Sequence, residues 1–175
     1  NHTAISFCYI NICNFSEISK SLTPKHLVRM IAYYFILYDA VATKFKVFRL
    51  KSFGDVGVFV SGLLGGKELS SQSAFTMAQF AGYVAQLLTP SFAHFPHRLP
   101  QIVDAFHNDH TMDENKAAKM YPVKIGLHSG QATTGLVDYG KTPFFEVYGA
   151  SLSLTHRMMS SAAPSTVHVS TNFKE

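Results

Sequence analysis

Two alternating apolar runs separated by Gly54-Asp55 constrain this chain more than anything else in its 175 residues. "VFRLKSF" sets Val47, Arg49 and Lys51 against Phe48 and Leu50, ends on Phe53, and reads as a strand. "VGVFVSGLL" is a second and more apolar strand. A connection this short, with Gly in it, joins antiparallel neighbours, so the two runs form a hairpin.

Helical periodicity flanks the hairpin on both sides. Upstream, Thr23 suits an N-cap and Pro24 the first helical position. Leu27, Ile31, Tyr34, Leu37 and Val41 then recur at helical spacing, which predicts a helix from Pro24 to Lys44. Downstream, "SSQSAFTMAQFAGYVAQLL" predicts another helix, begun by one of its serines. "ISFCYINICNFSEIS" opens the chain with Ile5, Phe7 and Tyr9 on a buried strand that ends near Asn11. "VKIGLHSGQATTGLV" reads as strand, turn at Ser129-Gly130, and strand. "TPFFEVYG" is a further strand, "ASLSLTHRMMSSA" a helix and "STVHVS" a closing strand. The order β-α-β-β-α-β, followed by extra strands and a helix, predicts an α+β fold. Its ferredoxin-like core would pack helices on one face of a largely antiparallel sheet.

The length suits one core, so residues 1–175 are expected to be a single domain. With 47% hydrophobic and 15% charged residues, intrinsic disorder is excluded. Residues 90–119 form an irregular, Pro- and His-rich insertion, in which "LPQIVDAFHND" can continue as helix. His94, His97, His107 and His110 cluster there, but no third ligand is defined, so solvated loop histidines are the better reading. His128 is assigned to the strand core. A formal charge of +4 favours anionic partners such as nucleotides only mildly, and no nucleic-acid partner is expected. Cys8 and Cys13 make neither a disulfide framework nor a zinc pattern, which predicts reduced thiols in a cytoplasmic setting. "MIAYYFILYDAVA" is too short to span a bilayer and is interrupted by Asp39. No signal peptide is visible, and the chain opens on Asn1 rather than Met. The expectation is an excised domain, for example the cytoplasmic domain of a membrane protein, with any membrane contact made by parts outside it.

Three segments together carry a resemblance. "YINICNFSEISKSLTPKHLVRMIAYYFILYDAVA", "RLKSFGDVGVFVSGLL" and "VKIGLHSGQATTGLVDYGKTPFFEVYGASLSLTHRMMSSAAPSTVHVS" resemble the class III adenylyl and guanylyl cyclase catalytic domain. The resemblance covers nearly the whole chain and is weakest from Lys67 to Met120. It implies the class III nucleotidyl cyclase fold and a head-to-tail pairing with a second cyclase domain, in a homodimer or a pseudo-heterodimer. The implied reaction is attack of the ribose 3′-oxygen on the α-phosphate, with loss of pyrophosphate. Two ions, Mg²⁺ or Mn²⁺, suit that chemistry by activating the hydroxyl and neutralising the triphosphate.

What the resemblance assigns to individual residues is uneven. The family's first metal carboxylate lies four residues before a Phe; here the Phe is Phe15 and the metal position holds Asn11. Asp55 fills the second carboxylate position in the hairpin turn. The backbone amides of Ile12, Cys13, Asn14, Phe15 and Ser16 would form a turn at a helix start able to accept phosphate oxygens. Lys51 and Glu146 take the two base-reading positions. A donor and an acceptor there favour adenine, hence ATP over GTP. On the last long helix Arg157 matches the family's Arg, suited to the phosphoryl transition state. Ser153 stands where the family has an Asn that orients the ribose. Lys124 replaces an Arg common in the family. The expected function is therefore cyclic AMP formation, with this chain as the purine-reading half of a dimer. The alternatives are an inactive regulatory cyclase-homology domain and half of a guanylyl cyclase.

Overall fold

The computed structural model describes residues 2–63, 70–89, 121–138, 140 and 143–174. Strand β1 (His2–Ile12) passes through Asn14, left-handed at φ 56°, into the short helix α1 (Phe15–Ser21). Asparagine is among the few residues with a side chain that tolerate this conformation. Helix α2 (Pro24–Phe45) starts as its sequence requires: the Thr23 side chain accepts the His26 amide at 3.4 Å, with Pro24 in the first turn. It ends on a left-handed Lys46, whose amide reaches back to the carbonyls of Ala42 and Thr43. Strands β2 (Phe48–Phe53) and β3 (Val56–Ser61) form the expected antiparallel hairpin, turned at Gly54 and Asp55. Helix α3 (Ser70–Leu87), strands β4 (Val123–Asp138) and β5 (Pro143–Tyr148), helix α4 (Ala150–Ser161), strand β6 (Thr166–Val169) and helix α5 (Thr171–Lys174) follow.

The sheet order is β2-β3-β1-β4-β5, and β6 lies parallel beside β4. Its first four strands, with α2 and α3 as the connecting helices, give the α+β, ferredoxin-like arrangement. Strand β1 is central because its two faces are both apolar. Cys8, Ile10 and Ile12 face Tyr34, Leu37, Tyr38 and Val41 of α2 and Met77, Phe80 and Val84 of α3. Ile5 and Phe7 pack on the other face with Val60, Ala132, Val147 and Leu152, and Tyr9 with Val58 and Met159. Each large apolar side chain so buried contributes about 1.5–3 kcal/mol. Helices α2 and α3 thus share one face, while α4 and β5 cover the opposite one.

The turn expected at Ser129-Gly130 does not form. Strand β4 runs unbroken for 16 residues, pairing with β1 from Val123 to Ala132 and with β5 from Thr133 to Asp138. Gly130 serves close packing instead: a Cβ there would stand 2.5 Å from Ser151 Oγ and 2.9 Å from His128 Nε2. Local chemistry suggested a turn, and the approach of α4 explains the glycine. The expected strand "VGVFVSGLL" stops at Ser61, and α5 was not anticipated. His128 is buried as expected, with Nδ1 2.7 Å from Ser170 Oγ. Cys8 and Cys13 are both buried free thiols. Residues 90–119, with His94, His97, His107 and His110, lie outside the described residues. Among the described residues no helix is long and apolar enough to cross a membrane.

Candidate active site

The register of β1 brings together the two positions expected to bind metal. Asn11 is opposite Val56 of β3 on one side and Lys124 of β4 on the other, and Asp55 immediately precedes Val56. Asn11 Nδ2 donates to Asp55 Oδ2 at 2.5 Å in a partly buried setting. This is a charge-assisted hydrogen bond, shorter and stronger than one between neutral groups. Magnesium and manganese need oxygen acceptors turned toward the ion. Here the amide turns a donor toward the only carboxylate of the pair. Among the described residues no three His, Cys, Asp or Glu side chains gather into a possible ligand set. The residues present do not fit a two-metal centre.

Two residues beyond Asn11, burial raises the pKa of the Cys13 thiol, and the Lys124 ammonium only partly offsets this. The thiol is held protonated and is a poor metal ligand. The amide of Cys13 is also taken, by the Pro122 carbonyl at 2.9 Å. That carbonyl follows a clamped residue, since the Tyr34 hydroxyl accepts the Tyr121 amide at 2.6 Å and donates to the Tyr121 carbonyl at 2.8 Å. Ile12 belongs to the strand and is buried. Of the turn expected over residues 12 to 16, Asn14 caps α1, and Phe15 and Ser16 are its first residues.

The two positions expected to read the base also meet. Lys51 on β2 and Glu146 on β5 come from opposite ends of the sheet order, yet Nζ and Oε2 are 3.3 Å apart. Strand β5 reaches back because Val147 packs against Ile5, Phe7 and Val60 on the face it shares with α4. The two side chains remain 39% and 30% exposed, so water screens the pair. An ion pair of this kind is worth about 0–1 kcal/mol, and a ligand can open it at little cost.

Helix α4 is fixed by its inner side, where Ser151, Thr155 and Met159 are buried. Its outer side carries Ser153, His156 and Arg157, all exposed. Among the described residues neither the Arg157 guanidinium nor the Ser153 hydroxyl has a hydrogen-bond or ion-pair partner. The structure thus brings Asn11 to Asp55 and Lys51 to Glu146, and leaves Arg157 and Ser153 without partners among the described residues of the chain. Two groups that the sequence reasoning passed over are Tyr9 and His156. Their rings meet edge to face at 5.6 Å, and Tyr9 also meets Phe53 at 6.5 Å. The period of two along β1, which puts Tyr9 on the face of Asn11, was the available signal. Leu136, Phe144, Phe145 and Tyr148 on β4 and β5, with Phe53 on β2, are large apolar side chains left exposed.

The profile of the adenylate and guanylate cyclase catalytic domain family matches residues 1–175. The receptor-type guanylate cyclase gcy-28 of Caenorhabditis elegans is 26% identical over 170 residues, covering 97% of this chain and 11% of that protein. The chain thus spans about a tenth of that relative's length. Among solved structures, the guanylyl cyclase Cya2 superposes with a TM-score of 0.78 at 17% identity, over 99% of this chain and 77% of that one. A dimeric guanylyl cyclase domain of the RhoGC fusion protein from the fungus Blastocladiella emersonii gives 0.75 at 20% identity, over 98% and 82%.

Proposed function

The chain belongs to the adenylate and guanylate cyclase catalytic domain family, and from that premise we propose that it is the purine-reading half of a dimer that cyclises ATP. The observation that carries this reading is the Lys51–Glu146 pair, 3.3 Å apart and open to solvent. Adenine offers an acceptor at N1 and a donor at its 6-amino group on one edge. Lys51 donates to the first and Glu146 accepts from the second. Guanine would turn N1–H toward the Lys51 donor and O6 toward the Glu146 carboxylate, leaving groups unsatisfied.

Arg157 supplies planar, permanently charged donors for the phosphoryl oxygens, and among the described residues its guanidinium has no other partner. Metal coordination falls to a partner domain, because Asn11 and Asp55 are already bonded to each other. The exposed Leu136, Phe144, Phe145 and Tyr148 supply apolar surface for that partner. Any membrane contact belongs to parts of the protein outside this chain.

The test is to purify the chain alone and paired with a cyclase domain that carries both metal carboxylates. Only the pair is expected to turn over ATP, and Arg157→Ala should lower its rate roughly 10²–10³-fold with the fold intact. Robust turnover by the chain alone would overturn the reading. A second reading, a regulatory domain without chemistry, is favoured by the closed Asn11–Asp55 bond and the short Ser153. It requires that the pair keep its activity when Arg157 is replaced.

A further inference from the structure

Ser153 leaves a gap on the exposed side of α4, because a hydroxyl on one carbon cannot reach as far as the amide of the family's Asn. Two longer side chains flank it. At about 100° per residue, His156 lies roughly 60° to one side of Ser153 and Arg157 roughly 40° to the other. His156 is exposed, and its ring nitrogens take no hydrogen-bond partner among the described residues. The ring itself is seated, meeting Tyr9 edge to face at 5.6 Å with an interplanar angle of 73°. Tyr9 rests in turn on Phe53, between Lys51 and Asp55 on the hairpin. The imidazole, on the same helix as Arg157, is thus packed on β1, whose Tyr9 in turn meets the strand of Lys51.

We propose that His156 is the ribose-binding side chain of this half-site, taking the part that Ser153 is too short to play. A neutral imidazole offers one donor and one acceptor, the combination that a ribose hydroxyl pairs with, and it reaches further than a serine. Packing on Tyr9 removes ring freedom before the nucleotide arrives, which lowers the ordering cost of the contact. The division of labour follows the helix: Arg157 on the phosphates, His156 on the sugar, Lys51 and Glu146 on the base. This rests on the reading of the chain as the purine-binding half of a cyclase pair.

The experiment uses the full chain paired with a metal-bearing cyclase domain, and reads ATP turnover together with the relative affinities of ATP and 2′-deoxy-ATP, which keeps the attacking 3′-hydroxyl. His156→Ala should cost roughly tenfold in turnover, the loss of about one hydrogen bond, and should erase the preference for ATP over the deoxy analogue. Adding Ser153→Asn to His156→Ala should restore both, which a merely structural role for His156 would not allow. Thermal unfolding separates loss of function from loss of fold. Unchanged turnover and discrimination in His156→Ala would overturn the proposal alone, as would failure of the asparagine to rescue. If the unsubstituted pair neither turned over nor bound ATP, the purine-half reading would fall as well.

Discussion

Lys51 and Asp55 stand four residues apart on one hairpin, and each is bonded to a residue of another strand. Lys51 meets Glu146 of β5 at 3.3 Å, with both side chains about a third exposed. Asp55 meets Asn11 of β1 at 2.5 Å, partly buried. The first contact is loose, screened and between opposite charges. The second is short and occupies the oxygen a cation would need, so an ion would have to displace a donor that brings no charge of its own. One end of the hairpin thus carries a screened ion pair, and the other a short hydrogen bond.

The sharpest way to break this contrast is to rewrite the Lys51 end. Lys51→Glu with Glu146→Cys places an acceptor where guanine presents N1–H and removes the carboxylate that faces O6. The preference of the paired enzyme should move from ATP toward GTP by about 10–100-fold, the size expected for 1–3 kcal/mol of differential contact. Competition between ATP and GTP analogues measures it. An unchanged ratio would mean that these residues do not touch the base.

The Asp55 end makes a smaller and opposite prediction. Asn11→Asp sets two carboxylates within hydrogen-bond distance of each other, so the metal-free protein should lose about 1–3 kcal/mol as a bonded group becomes a repelled one. Mn²⁺ should return that loss, seen as a metal-dependent rise in the thermal midpoint that the unsubstituted chain lacks. If Mn²⁺ gives no rise, more than the first ligand of this end has decayed.

Much of this contrast was legible in the chain itself, and what was not has physical causes. The hairpin was readable because its turn chemistry and period-two alternation are local. Thr23 and Pro24 gave the start of α2 for the same reason. Asn11 and Asp55 could be placed at one site, but their bond could not, since only the β1–β3 register sets Asn11 opposite Val56. Gly130 misled because a glycine that admits a helix looks like one that makes a turn, and Ser151 lies 21 residues away in sequence. Lys51 and Glu146 could likewise be placed together by the resemblance, but their ion pair could not, since it depends on β5 folding back over the sheet through Val147. Tyr9 and His156 were overlooked because each reads as ordinary within its own element.

The smallest effect concerns the scaffold that the two ends share. His128 lies on β4, which pairs with the strand of Asn11 through its first half and with the strand of Glu146 through its second. Burial lowers the pKa of its imidazole, so the folded state takes up a proton less readily than the unfolded chain does. Its stabilising contribution is therefore complete above the unfolded value of about 6.5 and declines as pH falls below it, levelling off only under the depressed folded pKa. The slope from this one group is at most about 1.4 kcal/mol per pH unit. Urea unfolding at a series of pH values below 7 should show it, and His128→Gln should flatten it. Because the loss acts through β4, ATP-analogue binding and the Mn²⁺ response of Asn11→Asp should fade over the same pH window as the fold. If one fades well before the other in unsubstituted His128 protein, the two ends of the hairpin do not depend on a common scaffold, and their different fates are local to each.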